Sequence, residues 1–178
     1  MKNSNQNKWD WQSDLMRNSH RNGRLGAIIA FFFDPGFSFV VWVRFFHFLK
    51  NKKGWINRLL ASFVFVHITK TFASDISFES ISIGHGLKVP HPFGIVIGQG
   101  SIIGNNVTIL QHTTIGRKNV SAKTNIVRIE DNVILGAHAI ILGPLVVGAK
   151  SKVGAGAVVL TDVSPNETVV GNPARPVK

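Results

Sequence analysis

The 178-residue chain contains no cysteine and no tyrosine, and its nine acidic residues are outnumbered by twenty Lys and Arg. The absence of cysteine excludes disulfides, cysteine nucleophiles and thiolate metal sites, and it fits a reducing compartment. The first twenty residues are polar, so no secretory signal is expected there. These features predict a cytoplasmic protein.

Positive charge is concentrated in residues 1–72, which carry eleven Lys and Arg against three Asp and Glu. Such a surface suits nucleic acid, anionic lipid or an anionic substrate, or it is simply a solvated face. No aromatic–basic module supports nucleic-acid binding, so no such partner is predicted. The most apolar stretch, residues 27–49, is interrupted at Asp34, Pro35 and Gly36, and the run that follows is too short to cross a bilayer alone. Peripheral membrane contact stays open.

Residues 1–72 are predicted to form an α-helical N-terminal section. The segments FSFVVWVRFFHFLKN and GWINRLLASFVFVHITKTF predict two helices separated near Gly54, and residues 10–18 predict a shorter one. All thirteen Phe lie at or before residue 93, so this section packs with aromatic side chains.

Residues 73–178 carry a six-residue repeat. Ile, Val or Leu recurs at positions 83, 89, 97, 103, 109, 115, 129, 135, 141, 147, 153 and 159, and Gly directly follows seven of them. A second small or aliphatic residue comes four positions after most of these. A period of six fits neither an α-helix nor an antiparallel meander, but it fits a triangular solenoid with one short strand per face. We therefore predict a mainly β protein, with a parallel β-helix after the helical section.

The repeat is interrupted twice, between residues 83 and 97 and between 115 and 129. Each interval has fourteen residues, and surplus residues in a solenoid must leave the coil. The second interval contains the polar, basic loop at 117–128, to which no role is assigned. The first contains His91 between Pro90 and Pro92. From the residues alone, His91 is either a catalytic group lifted into a cleft or a structural histidine.

Three segments carry a family resemblance: SIGHGLKVPHPFGIVIG, NVTILQHTTIG and VILGAHAIILGPLVVGAKSKVGAGAVVLTDVSPNETVVGNPARPV. They resemble the hexapeptide-repeat acyltransferases, which have a left-handed parallel β-helix. Within that family the chain is most similar to the serine acetyltransferase branch and its relatives in capsule and exopolysaccharide synthesis. The resemblance implies acetyl-CoA as acyl donor and a homotrimer or a dimer of trimers, with the N-terminal helices capping the β-helix. It implies no metal.

The resemblance also implies site residues. His91 would be the general base that takes the proton from the acceptor hydroxyl, with the Asp75 carboxylate behind it and Glu79 in reserve. Gln111 and His112 would line the acceptor pocket, although a surface position is an alternative for His112. The residues implied for coenzyme A are Gly136, Ala137, Gly154 and Ala155 beside the pantetheine arm, with Lys150, Lys152, Arg175 and Lys178 near the phosphates.

One departure bears on the acceptor. Serine acetyltransferases carry a second histidine in a D-R-H-P-K-I stretch, whereas this chain has TNIVRI with Ile126 at that position. The departure argues against L-serine and favours a carbohydrate, either anionic or lipid-linked. We therefore expect an O-acetyltransferase of a bacterial surface polysaccharide or its precursor, in the cytoplasm or at the inner face of the membrane.

Two alternatives remain at this stage. Serine O-acetyltransferase of cysteine biosynthesis is the alternative enzyme. A non-catalytic scaffold, or a carbonic-anhydrase-like trimer that uses His91, His112 and His138, is the alternative from another class. The spacing of these histidines matches no zinc motif.

Overall fold

A computed structural model describes residues 9–76, 81–118 and 126–177. Its N-terminal section contains four helices, α1 (Trp11–Ser19), α2 (Gly23–Phe33), α3 (Pro35–Lys50) and α4 (Trp55–Phe72). Helices α1, α3 and α4 were predicted. Helix α2 was not predicted, and only Ala30 of its eleven residues is buried.

The turn between α2 and α3 follows from two residues. The Asp34 carboxylate accepts a hydrogen bond from the Phe37 amide at 2.9 Å, and Pro35 occupies the first position of α3. The chain bends by 102° there. In the described ranges, no single helix has the length and hydropathy to cross a membrane, although α2 and α3 together meet that test by length and composition.

Fourteen short strands follow: β1 (Asp75–Ile76), β2 (Ser82–Ile83), β3 (Val96–Ile97), β4 (Ile102–Ile103), β5 (Thr108–Ile109), β6 (Thr114–Arg117), β7 (Val127–Ile129), β8 (Ile134–Leu135), β9 (Ile140–Gly143), β10 (Leu145–Val147), β11 (Lys152–Val153), β12 (Val158–Val159), β13 (Thr168–Val170) and β14 (Arg175–Pro176). They form sheet A (β1-β3-β6-β9-β12), sheet B (β2-β4-β7-β10) and sheet C (β5-β8-β11-β13-β14). All pairs are parallel except β13 with β14. The predicted left-handed parallel β-helix is confirmed.

The interior of the β-helix is a stack of aliphatic side chains. All twelve residues of the six-residue repeat are buried, none more than 8% exposed. The second inward positions are buried as well, including Thr113 and Ser151. The stack begins one face earlier than the repeat indicated, at Ile76, and extends to Val169. Because each coil buries its aliphatic residues only against its neighbours, the coils stabilise one another.

The two interruptions of the repeat place different numbers of surplus residues outside the coil. Ile83 lies in sheet B and Ile97 in sheet A, with Val89 on the intervening sheet C face beside Ile109. Two surplus residues therefore leave the coil near His91. Ile115 and Ile129 lie on consecutive faces, sheets A and B, so their spacing of fourteen exceeds one six-residue repeat by eight residues. Part of that second excursion, residues 119–125, lies outside the described residues.

Helix α1 lies against the first coil and binds its backbone. Asn18 donates to the Leu87 carbonyl at 2.8 Å and accepts from the Val89 amide at 2.9 Å. Arg17 donates to the Gly86 carbonyl and to Thr108 Oγ1. These side chains pair backbone groups that an uncapped coil would leave open to another strand.

Candidate active site

Successive coils turn from sheet C to sheet A through residues 91–94, 110–113, 136–139 and 154–157, which we call the C/A corner. Backbone hydrogen bonds of 2.8–2.9 Å join each turn to the next, such as the bond from His112 N to Phe93 O. One residue per turn has a positive φ, between 56° and 68°: Gly94, His112, His138 and Gly156. The turns therefore stack in register and form one continuous edge of the prism.

His91 lies in the first turn of the C/A corner, in the two-residue surplus, and its side chain is exposed. The turn is fixed from behind by Ser74, whose hydroxyl donates to the Pro92 carbonyl at 3.1 Å and accepts from the Ile95 amide at 3.1 Å. The Gly94 amide also donates to the Phe72 carbonyl at 3.2 Å. Tertiary contacts therefore hold the His91 turn against the segment that leads into β1.

Asp75 follows directly after Ser74 and begins β1. Its amide donates to the Ile95 carbonyl at 2.9 Å, and it pairs in register with Val96. The fold thus brings Asp75 to the edge of sheet A that adjoins the His91 turn, one coil earlier. Both side chains are exposed, and no hydrogen bond joins them in the described structure. Glu79, the reserve carboxylate, lies outside the described residues.

Gln111 and His112 occupy the second turn of the C/A corner. A Cβ at Gly94 would lie 2.2 Å from His112 Nδ1, so the absence of a side chain at position 94 leaves room for the imidazole directly beside the His91 turn. The rings of His112 and His138 stack, with centroids 4.6 Å apart and an interplanar angle of 15°. The sequence analysis missed this stack. The spacing in the sequence carries a signal for this stack, since His112 and His138 each come three residues after a repeat position, Ile109 and Leu135.

The predicted pantetheine residues lie on the third and fourth turns of the same corner. A Cβ at Gly136 would lie 2.6 Å from the Ala155 amide nitrogen, and one at Gly154 would lie 2.7 Å from Val170 Cγ1. Backbone packing therefore requires glycine at position 136, whereas a side chain at position 154 would require the Val170 side chain to shift. Ala137 is half-buried and Ala155 is exposed. The result is a strip of backbone with small side chains that continues from the two stacked histidines.

The cations that were predicted to bind phosphate lie at different places on the β-helix. Lys150 lies at the opposite edge of sheet C, where its amide donates to the Asp131 carbonyl at 2.9 Å, and it is not brought near Gly136 or Gly154 in one chain. Lys152 lies on the outer face of sheet C in register with Thr168. Arg175 lies on β14 and donates to the Ala174 carbonyl at 3.0 Å. Lys178 lies outside the described residues.

Two other kinds of site, a metal centre and a surface cavity, bear on where the active site lies. Within the described ranges, no group of three His, Cys, Asp or Glu side chains is placed to hold a metal ion. An open cavity of about 270 Å³ lies on sheet B, lined by residues that include Gly84, Gly104, Arg128 and Asp131. It contains none of the predicted site residues and faces away from the C/A corner.

Comparisons with known proteins agree with this geometry. The hexapeptide repeat of succinyl-transferase matches residues 86–111 and 126–161. Serine acetyltransferase of Escherichia coli (strain K12) is 39% identical over 140 residues, which cover 79% of this chain and 50% of the relative. The chain thus spans about half the length of the curated relatives it matches.

Two solved structures are similar over nearly the whole chain. Soybean serine acetyltransferase complexed with serine is 37% identical with a TM-score of 0.79, over 93% of this chain and 67% of that one. A serine acetyltransferase in complex with CoA is 32% identical with a TM-score of 0.77, over 94% and 68%.

The expectation of a polysaccharide acetyltransferase is therefore wrong. It relied on Ile126, which is a single exposed residue at the end of the excursion between β6 and β7. Loops vary more than the coils that carry them, so one loop position does not outweigh similarity along the solenoid. By its repeat, its fold and these relatives, the chain belongs to the hexapeptide-repeat acyltransferase family, and the relatives it matches are serine acetyltransferases.

Proposed function

We propose that this chain is a serine O-acetyltransferase that transfers the acetyl group of acetyl-CoA to the hydroxyl of L-serine. The observation that carries the proposal is the likeness to the soybean structure complexed with serine, at 37% identity over 93% of this chain. The likeness to the CoA complex supports the same donor.

The chemistry requires a base, a bound thioester and a positioned hydroxyl. His91 takes the proton from the serine hydroxyl as its oxygen attacks the thioester carbonyl carbon. The carbon–sulfur bond then breaks, and the imidazolium returns the proton to the departing thiolate. O-acetylserine and free CoA result, and no covalent enzyme intermediate is needed.

Asp75 is proposed to position His91. A carboxylate beside an imidazole fixes its tautomer and stabilises the imidazolium that forms during proton transfer. Gln111 and His112 are the polar side chains on the next turn, where they would contact the acceptor. The strip formed by Gly136, Ala137 and Ala155 would take the pantetheine arm, because its small side chains leave the backbone open to a close approach.

The exposure of His91 and Asp75 in one chain motivates a homotrimer as part of the proposal. Proton transfer and charge stabilisation are stronger where water is excluded. A neighbouring copy seated against the C/A corner would cover both side chains and form the second wall of the donor groove. Such a wall would also let Lys150 of one chain approach the donor bound at the corner of another.

The test is release of CoA thiol from acetyl-CoA by the purified protein, with L-serine and a panel of neutral and acidic oligosaccharides as acceptors. We expect turnover with serine, and a loss of roughly 10²-fold or more in kcat for His91→Asn. His85→Asn is the matched control, since His85 is also exposed but lies outside the C/A corner. Turnover with a sugar instead of serine would contradict the proposed acceptor. Failure to bind acetyl-CoA would favour a non-catalytic scaffold.

A further inference from the structure

Helix α4 carries apolar side chains on two opposite faces. One face packs in the core through Ala61, Val64 and Ile68, all at most 7% exposed. The other face presents Ile56, Leu59, Phe63 and Val66, which are 45–65% exposed. A helix that is apolar all round is normally enclosed. Here half of its apolar surface is uncovered in the chain.

Helix α2 also exposes an apolar stripe. Leu25, Ile28 and Phe32 recur at helical spacing and are 59–74% exposed. Phe31 of α2 and His67 of α4 both lie against Trp42 of α3, with ring centroids 5.9 Å and 4.5 Å from that of Trp42. Both helices therefore pack on α3 and expose large apolar side chains. Extensive apolar exposure of this kind marks an interaction site.

The charges around this surface are almost all positive. Residues 20–73 contain eight Lys and Arg but one acidic residue, Asp34, which caps α3. Arg44 pairs with Asp14, and within the described ranges no other salt bridge is present. The seven remaining cations include Arg21 and Arg24 at the start of α2, and Lys52, Lys53 and Arg58 around the start of α4. Lys52 lies over the Phe48 ring, with its Nζ 5.2 Å from the centroid.

We propose that α2 and α4 bind the surface of an anionic lipid bilayer, with their exposed apolar stripes in the acyl boundary and the flanking cations among the head groups. Two kinds of apolar partner could cover this surface, a second copy of the chain or a lipid bilayer, and the charge of the surface distinguishes between them. A second copy seated face to face would bring the cations at the starts of α2 and α4 against those of the other copy, and like charges at an interface oppose association. An anionic bilayer supplies both the apolar layer and the opposite charge. This inference is independent of the proposed acceptor.

The experiment is flotation of the purified full chain with phosphatidylcholine vesicles, with and without phosphatidylglycerol. We expect binding only when phosphatidylglycerol is present. It should weaken as NaCl rises from about 0.1 M to about 1 M, because the screening length falls from about 10 Å to about 3 Å. Leu59→Gln with Phe63→Gln tests the apolar stripe, and Lys52→Gln with Lys53→Gln tests the charge. Each pair should weaken partition by about tenfold or more.

Two controls keep the result interpretable. Ile134→Gln replaces an exposed aliphatic residue on sheet C and should leave flotation unchanged. Circular dichroism melts show whether each variant is folded, and the lysine pair leaves the apolar stripe intact. Absence of flotation with either lipid overturns the proposal, as does equal flotation with neutral vesicles. Sedimentation velocity adds the remaining outcome. Self-association that Leu59→Gln and Phe63→Gln abolish, without lipid binding, would assign the surface to a second copy.

Discussion

The Asp14 carboxylate on α1 accepts a hydrogen bond from the Leu87 amide on the first coil at 2.9 Å, although 73 positions separate the two residues. The same carboxylate accepts from Arg44 Nε at 3.1 Å and from Trp9 Nε1 at 2.9 Å. Arg44 also donates to the Ile83 carbonyl at 2.8 Å. A buried ion pair thus joins two helices to the open edge of the β-helix.

The first prediction concerns this junction. Asp14→Ala removes the fully buried partner of this ion pair and leaves the largely buried Arg44 uncompensated, so we expect a loss of about 3–5 kcal/mol in the free energy of unfolding. Asp10→Ala, which removes only an exposed helix cap, should cost about 1 kcal/mol. Urea unfolding of both variants measures the difference. Equal losses would mean that the pair does not join the helices to the coil.

The second prediction concerns coil packing at the C/A corner. Gly136→Ala places a Cβ 2.6 Å from the Ala155 amide nitrogen, so we expect a loss of about 1–3 kcal/mol and a raised KM for acetyl-CoA. Gly116→Ala is the matched control, because its nearest contact would be 3.7 Å away and its stability should change little. Thermal unfolding and donor titration check both variants. An unchanged KM for acetyl-CoA in a folded Gly136→Ala protein would show that the pantetheine arm does not bind beside Gly136.

The third prediction concerns the positioning role of Asp75. Asp75→Asn keeps the shape of the side chain but removes the charge behind His91, so we expect kcat to fall by about 10²-fold or more with the KM for acetyl-CoA unchanged. Asp131→Asn, at the corner between sheets B and C, should retain full activity. Steady-state kinetics of the two variants provide the test. A rise in KM at constant kcat would indicate instead that Asp75 contributes to substrate binding.

The fourth prediction concerns pH. Burial and, to a lesser extent, the positive charges of Arg44 and Lys50 together lower the pKa of His47 to about 4. An unfolded histidine titrates near 6.5, so below that pH the unfolded state binds more protons and the free energy of unfolding falls. The loss continues down to about pH 4 and reaches about 2–3 kcal/mol by pH 4.5.

His47→Gln should remove this part of the acid sensitivity, whereas His85→Gln, at an exposed position, should keep it. Urea midpoints at a series of pH values from about 7 to about 4.5 measure the difference. Identical pH profiles for the wild-type and His47→Gln proteins would show that His47 is not the titrating group.

Prediction from the sequence succeeded where a period was present. The six-residue repeat predicted twelve buried positions of the β-helix, because in a solenoid each inward side chain meets only the equivalent side chains of its neighbours, but it did not mark Ile76 or Val169. It failed where no period marked the element. Helix α2 buries only Ala30, and the spacing of fourteen from Ile115 to Ile129 does not show that these residues lie on consecutive faces.

The sequence by itself determined the coil, the inward residues and the surplus around His91, because these depend on spacing along the chain. Only the tertiary structure decided which turns share an edge. It placed His91, His112 and Gly136 along one corner with Asp75 on the adjoining sheet A, stacked His112 on His138, and placed Lys150 at a different corner. The face of the β-helix on which a residue lies depends on how many residues leave the coil at each interruption. Spacing along the chain does not show at which face those residues leave the coil.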